Sequence, residues 1–363
     1  MKVGTTLLSN ERGFDGRILE QLVKELAAIK RERAMNILIV SSGAIGCGMN
    51  VLGLRERPKS LPLKQATAAV GQSRLMHYYE TLFQTYGDGL RTAQVLLTVS
   101  ELDNRETYLN IRNTLHAIFE LEHVIPVVNE NDSVAIEELR FGDNDTLSAR
   151  VAAEIGADLL IVLSDIDGLY DRNPRQHPDA QLIPYVERVT PEIEALAGDT
   201  LVETSVGGMR TKLHAARIAG ASGVPMVICN GRRPRIIHDV LAGTAPMTWF
   251  DAAGAALSHR KRWIAFGRAA RGAVHVDAGA RDAIVRHGRS LLAAGVTSVS
   301  GAFQAGAAVQ VLDPTGKPIA RGLANYSSEQ LNLIKGAKSG DIERLLGRKD
   351  FDEVIHRDNL VLI

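Results

Sequence analysis

Between residues 3 and about 240 the chain alternates short apolar runs, rich in β-branched residues, with longer stretches of helical periodicity. Few architectures accept that pattern. A strand that is to lie parallel to its predecessor needs a long crossover, usually a helix, so the alternation predicts an α/β unit: a mainly parallel open sheet flanked by helices. Ile18, Leu22, Val23, Leu26 and Ile29 recur at helical spacing, and 36–41 (NILIVS) then reads as a buried strand. Further strands are predicted at 93–97, 124–128, 159–163 and 225–229, most of them separated by helices. In such sheets ligands collect outside the carboxyl ends of the strands, so the loops there are where chemistry is sought.

The texture changes near His259. The charged break HRKRW (259–263) is followed by short, glycine-punctuated β segments at 273–276, 296–299, 308–312 and 319–322, which suggest a small β-rich, barrel-like domain. The expected organisation is a catalytic domain over 1–255, a linker over 256–269, a β-rich domain over 270–348 and a tail over 349–363. A length of 363 residues, 45% of them hydrophobic, supports two such units.

Charge narrows the partners. Forty-two lysines and arginines balance 42 aspartates and glutamates, so no overall basic field draws nucleic acid or an anionic membrane, and any anion must be held by local groups. Two cysteines, Cys47 and Cys229, are too few for a disulfide framework and lack zinc-site spacing; buried free thiols are expected. No apolar run reaches the length of a membrane span, and the N-terminus lacks signal-peptide zones. A cytoplasmic protein with no membrane partner is expected.

Glycine loops are the natural phosphate sites, because glycine lets backbone N–H groups approach an anion and helix N-termini add partial positive charge. Two familiar loops fail. GLRERPKS (53–60) has nearly P-loop spacing, but Pro58 stands where the loop needs glycine, and GAIGCGMN (43–50) lacks the third glycine of a dinucleotide fingerprint. Four other segments together supply a phosphate site: KVGTT (2–6), SSGAIG (41–46), SDIDGLY (164–170) and VGGMRTK (206–212). Singly, each is a loop that does no more than turn the chain. In this order and spacing they resemble the amino acid kinase family.

Within that family, NENDSV (129–134) and FGDNDTLSA (141–149) look like the branch that phosphorylates the side-chain carboxylate of L-glutamate with ATP, the first step of proline biosynthesis. GRSLLAAGVTSVSGAF (288–303) and IARGLANYSS (319–328) resemble the PUA domain that many members of that branch carry. The resemblance thus implies an amino acid kinase fold followed by a small β-rich PUA domain.

It also implies roles. Lys2 and Lys212 would flank the transferring phosphoryl group, and Asp145 would hold both lysines. Without the motif, the lysines would pass as solvated surface residues and Asp145 as the N-cap of the helix that follows. Ser42, Asp132 and Asn144, with Asp143 nearby, would form the glutamate pocket: aspartate accepting from the ammonium, serine and asparagine donating to carboxylate oxygens. A solvated acidic turn is the ordinary alternative for Asp132 and Asp143. The ATP surface would comprise Lys2, Gly4, Gly43, Ser164, Asp165, Val206, Gly207, Gly208, Met209, Arg210, Thr211 and Lys212. Mg²⁺ would bridge the ATP phosphates with no protein metal ligand.

The resemblance further implies feedback inhibition by proline and a homodimer or homotetramer. Two departures stand out. Only Met1 precedes Lys2, where family members carry several apolar residues, so a start further upstream is expected; and Ser205-Val206 replaces the usual Gly-Thr. Two rivals remain open. One is a sibling kinase acting on acetylglutamate, aspartate or carbamate. The other is an RNA-binding or RNA-modification protein using the PUA domain and Arg260, Lys261, Arg262, Arg268 and Arg271, a role not expected to be central.

Overall fold

A computed structural model describes residues 1–10, 13–33, 35–98, 101–102, 104–134, 144–197, 208–252 and 270–362. The chain divides into two compact units, the first comprising Met1–Leu102 and Glu106–Ala256 and the second centred on Leu257–Ile363. Among the described residues no helix is long and apolar enough to cross a membrane. The expected linker at 256–269 and four of its basic residues, Arg260, Lys261, Arg262 and Arg268, lie outside the described residues.

The first unit opens β1 (Lys2–Val3), α1 (Thr5–Leu8), β2 (Ser9–Asn10), β3 (Gly13–Phe14), α2 (Gly16–Arg33), β4 (Ile39–Ser41), α3 (Ala44–Leu52) and α4 (Leu61–Tyr86). It continues β5 (Arg91–Leu97), α5 (Arg105–Glu120), β6 (Val124–Glu130), α6 (Asn144–Ile155), β7 (Leu160–Ser164), β8 (Tyr185–Val186) and α7 (Pro191–Ala195). It closes with α8 (Met209–Ala221), β9 (Met226–Asn230), α9 (Ile236–Ala242) and β10 (Met247–Phe250). Eight strands form one sheet in the order β5-β6-β4-β1-β7-β9-β10-β8. Pairing is parallel from β5 through β9, and β10 is antiparallel to β9.

Strand order reverses about β1: β4 lies on one side and β7 and β9 on the other. Such a reversal opens a crevice at the carboxyl edge of a parallel sheet. The flanking helices obey the apolar spacing in the sequence. In α2 the side chains of Leu19, Leu22, Val23, Leu26 and Ile29 are buried, each contributing roughly 1.5–3 kcal/mol. Lys30, Arg31 and Arg33 occupy its last turn, where the helix dipole favours cations.

The strand expected over 36–41 is shorter than its apolar run. Its ladder runs Ile39–Ser41: Val40 and Ser41 stand opposite Lys2 and Val3 of β1, and Ile39 and Val40 opposite Val127 and Val128 of β6. Leu38 instead accepts a hydrogen bond from the Met1 amino group at 2.7 Å. Buried Leu38 still belongs to the apolar core, so the hydrophobic run is longer than the hydrogen-bonded strand.

The second unit contains β11 (Ala273–Val276), α10 (Ala278–Val285), β12 (Val296–Ser300), β13 (Ala308–Leu312), β14 (Pro318–Leu323), α11 (Ser328–Ile334), α12 (Ile342–Leu346) and β15 (Leu360–Leu362). Its strands form one sheet in the order β12-β11-β13-β14-β15. Ser327 and Gln330 make a reciprocal capping box at the start of α11. Of the stretch 349–363 expected as a tail, the described residues 349–362 are integral to this unit. Val354 and Ile355 are fully buried in its core, and β15 pairs antiparallel with β14. The run LVLI (360–363) is an apolar β signal in its own right, but at four residues it does not by itself fix its pairing with β14.

Candidate active site

The parallel register levels the strand ends. Val3 stands opposite both Ser41 of β4 and Leu163 of β7, and the Ser42 N–H donates to the Val3 carbonyl at 3.1 Å. Gly4, Ser42 and Ser164 therefore emerge along one edge of the sheet, and Lys2, two residues behind Gly4, brings its ammonium group there. The chain leaves β4 through Gly43, whose φ of 107° lies in the left-handed region that favours glycine. Helix α3 starts at the next residue, so its first-turn N–H groups stand at the same edge.

At this edge Lys2 and Lys212 converge on Asp145. Lys2 Nζ lies 2.5 Å from Asp145 Oδ1 and Lys212 Nζ lies 3.0 Å from Oδ2. The Asp145 side chain has no exposed surface, and the two lysine side chains are only 6% and 7% exposed. Burial works against charge on Asp145, but the attraction and hydrogen bonds of the two lysines outweigh it and hold the carboxyl below its ordinary range. The Thr211 hydroxyl lies 2.9 Å from Asp145 Oδ2 and 2.7 Å from the Gly208 carbonyl, tying the start of α8 to the same carboxylate. A Cβ built on Gly4 would stand 3.3 Å from Lys2 Nζ, so glycine keeps open the space beside that ammonium.

The alternative role for Asp145 was an N-cap. Helix α6 begins at Asn144 and Asp145 lies within its first turn, with its side chain directed to the lysines. The sequence pattern could not separate these roles, because the partners come from residues 2 and 212.

Asn144, one residue earlier, faces a second group of polar residues. Its amide N–H donates to Ser41 O at 3.0 Å, Ser42 Oγ at 2.8 Å and Asn129 Oδ1 at 3.0 Å. Asn144 is expected to donate to a substrate carboxylate; here its N–H groups are directed into the protein, and its remaining polar atom, Oδ1, is an acceptor. Ser42 Oγ accepts from Asn144, which leaves the hydroxyl hydrogen of Ser42 for donation. Beneath them, the buried Tyr79 hydroxyl donates to Ser41 Oγ at 2.8 Å. Asp132 follows β6 in a turn. Burial pushes its carboxyl up to about 6 from an ordinary 3.8, against the attraction of Arg57.

On the other side of β1, Ser164 ends β7 opposite Asn230 of β9. Asp165 pairs with Arg175, and Asp167 takes the Arg233 guanidinium in two hydrogen bonds of 2.8 Å each. Gly168 packs against Thr248, where a Cβ would meet Oγ1 at 2.3 Å, so the SDIDGLY loop is pinned to β10. Gly208, Met209, Arg210 and Thr211 lead into Lys212, with Arg210 exposed. Asp143, Val206, Gly207 and the Ser205-Val206 departure lie outside the described residues.

Three residues of this edge carry no role in the sequence motifs: Asn129, Gln72 and Tyr79. Asn129 is inside the NENDSV motif but precedes the residue given a role. Gln72 and Tyr79 lie on α4, and only the interior Gly71 hinted that this helix approaches something closely.

Comparison with known proteins identifies the family. A model of the amino acid kinase family matches residues 1–230, and one of the PUA domain matches residues 272–346. A glutamate 5-kinase of Moorella thermoacetica is 49% identical over 364 aligned positions, covering 100% of this chain and 95% of that protein. A glutamate 5-kinase of Caldanaerobacter subterraneus is 47% identical, covering 100% of this chain and 97% of that protein. Among solved structures, an isopentenyl phosphate kinase substrate complex is a more distant likeness: 19% identity and a TM-score of 0.47, over 69% of this chain and 98% of that one. The family model spans more than half of the chain and the relatives span all of it, so the chain belongs to the amino acid kinase family, on its glutamate 5-kinase branch, with a PUA domain towards its carboxyl end.

Proposed function

We propose that the chain transfers the terminal phosphoryl group of ATP to the side-chain carboxylate of L-glutamate, giving L-glutamyl 5-phosphate and ADP, the first step of proline biosynthesis. The observation that carries this reading is the convergence of Lys2 and Lys212 on Asp145, directly beside the amide cluster around Asn144. Bringing a carboxylate to a triphosphate opposes two anions, so the work is positioning and charge neutralisation. Lys2 and Lys212 supply the positive charge, and Asp145 fixes their ammonium groups.

A side-chain carboxylate oxygen attacks the terminal phosphorus, the new O–P bond forms, and the bond to the ADP oxygen breaks. No protein base is required, since the glutamate carboxylate is already ionised at neutral pH. Space beside Gly4 and the N–H groups at Gly43 and the start of α3 receive phosphate oxygens, and Ser164, Asp165 and the 206–212 segment border the nucleotide. Mg²⁺ carried by the ATP phosphates would neutralise part of their charge. The Asp145 carboxylate is engaged by Lys2 and Lys212, so the ion would be held by phosphate oxygens and water.

Asp132 accepts from the substrate ammonium, with Asp143 nearby, while Ser42 donates to a carboxylate. Proline carries the same ammonium and carboxylate pair as glutamate and so competes for this pocket as a feedback inhibitor. The chain works in the cytoplasm, in keeping with two buried free thiols, and as a homo-oligomer, which would cover the exposed Val51, Leu52 and Leu63 of α3 and α4.

The test is ADP release with Mg²⁺-ATP and a panel of glutamate, acetylglutamate, aspartate and carbamate, with the acyl phosphate trapped by hydroxylamine. Turnover restricted to glutamate is expected. Turnover of another acid with none of glutamate would reject the reading in favour of a sibling kinase.

A further inference from the structure

The pocket beside Asn144 contains three side-chain amides in a row, and backbone groups fix which way each one points. The Glu130 N–H, which can only donate, lies 2.9 Å from Asn129 Oδ1, so that atom must be the carbonyl oxygen. Asn129 therefore presents its NH₂ group to Gln72, donating to Oε1 at 2.8 Å. The Gln72 carbonyl is thereby committed to Asn129, and its NH₂ group must face elsewhere. At the other end, Asn144 donates to the Ser41 carbonyl, which can only accept, so Asn144 Oδ1 must face away from that carbonyl.

A row of amides oriented in this manner ends in one donor and one acceptor. Both ends, Gln72 Nε2 and Asn144 Oδ1, are buried and have no hydrogen-bond partner among the described residues. Leaving such a group unsatisfied costs roughly 1–3 kcal/mol, so two on one network are a strong sign of a ligand that completes it. The position of Gln72 is not adjustable. A Cβ on the preceding Gly71 would stand 1.8 Å from the Ala44 carbonyl, so α4 lies directly on the first turn of α3, next to Ser42 and Gly43.

We infer that Gln72 is a specificity-determining residue that donates from Nε2 to the α-carboxylate of the amino-acid substrate, while Asn144 Oδ1 accepts from its α-ammonium. This rests on the proposed kinase reading and adds to it the polarity of the pocket. The phosphoryl-accepting carboxylate belongs on the Asp145 side, with the lysines. Gln72 lies on the opposite side, beyond Asn129, where the α-carbon end of the substrate must go. A donor and an acceptor on one rigid amide row match a zwitterion and select against a substrate whose α-carboxylate has been made an amide.

The decisive variant is Gln72→Glu. A glutamate oxygen still accepts from Asn129, so the row is kept, but the donor becomes a second acceptor with negative charge. Wild-type protein and variant are compared on L-glutamate and on L-isoglutamine, which keeps the side-chain carboxylate and carries an amide at the α position. The wild type should favour glutamate, and the variant should lose at least about 30-fold in kcat/KM for glutamate with KM for ATP unchanged. Its preference for isoglutamine over glutamate should rise, because the new carboxylate can accept from the amide.

Gln72→Met, which removes the donor and also the oxygen that accepts from Asn129 but adds no charge, should show a smaller loss on glutamate without the gain on isoglutamine. Thermal unfolding accompanies each variant. Equal loss on both substrates, with the ratio unchanged in both variants, would overturn the assignment and leave Gln72 a purely structural residue. A wild type that turns over no glutamate would instead overturn the kinase reading itself, a result distinct from an unchanged ratio.

Discussion

Lys212 holds its ammonium group 3.0 Å from Oδ2 of Asp145, a carboxylate with no exposed surface, although 67 positions separate the two residues in the chain. Lys2 reaches the other oxygen of the same group. A buried carboxylate between two cations is held by strong opposing terms, and removing its charge unbalances both lysines.

Asp145→Asn should therefore damage both stability and turnover. Leaving buried cations without their counter-ion costs about 3–5 kcal/mol, and misplacing two charge-stabilising groups should lower kcat by roughly 10²–10³-fold. Chemical denaturation and steady-state ADP release measure the two effects. Because the folded carboxyl is held below 3.8, its contribution is present above that pH and is lost only as pH falls through the lowered value. An acid unfolding midpoint unaffected by Asp145→Asn would contradict this account.

Lys212→Ala should separate chemistry from folding. Asp145 keeps Lys2 in this variant, so the cluster retains a neutral pair, while the transferring phosphoryl group loses one cation. A fall in kcat of about 10²–10³-fold is expected. The glutamate affinity, followed by calorimetry, should change little.

Asp132 makes a pH prediction. Its carboxyl is pushed up to about 6 by burial, so it is ionised at pH 7.5 and becomes neutral as pH falls through 6. Once neutral it holds the substrate ammonium poorly, and KM for glutamate should climb about tenfold per pH unit below 6, before the ordinary aspartate range is reached. Asp132→Asn should abolish that dependence and raise KM at pH 7.5. The same substitution should stabilise the free protein above pH 6, on the order of 1–3 kcal/mol, because the buried charge no longer has to be desolvated. A KM that is flat between pH 5 and 7.5 in the unsubstituted protein would exclude Asp132 from the pocket.

Gly71→Ala tests the seat of α4. The added Cβ would stand 1.8 Å from the Ala44 carbonyl, a backbone atom that cannot swing aside. The helix must shift, and a loss of roughly 2–4 kcal/mol is expected, in the range of other overpacked sites or above it. Because the shift displaces both α3 and Gln72, KM for glutamate should rise in whatever fraction remains folded. Gly53→Ala, at a glycine with nothing within 4 Å of a built Cβ but φ of 67°, should cost only about 1 kcal/mol and leave KM unchanged. Denaturant titration together with glutamate saturation curves distinguishes these two variants.

Much of this molecule is legible in one dimension. The alternation of apolar runs and helical periods determines a parallel α/β unit, because each strand's apolar residues and each helix's apolar stripe can be buried only against one another. The glycine loops and their order mark where an anion could be held, and the change of texture near His259 marks the second unit. These are local properties, written in neighbouring residues.

Only the tertiary structure decided what the loops hold in common. Lys2, Asp145 and Lys212 meet because β1, α6 and α8 are brought to one edge of the sheet, and no spacing rule links positions 2, 145 and 212. The polarity of the amide row was equally out of reach: which atom of Asn144 is turned into the protein depends on the carbonyl of Ser41, more than a hundred residues away. A hydrogen bond's direction is set by its partner, and for long-range pairs the partner is chosen by the fold.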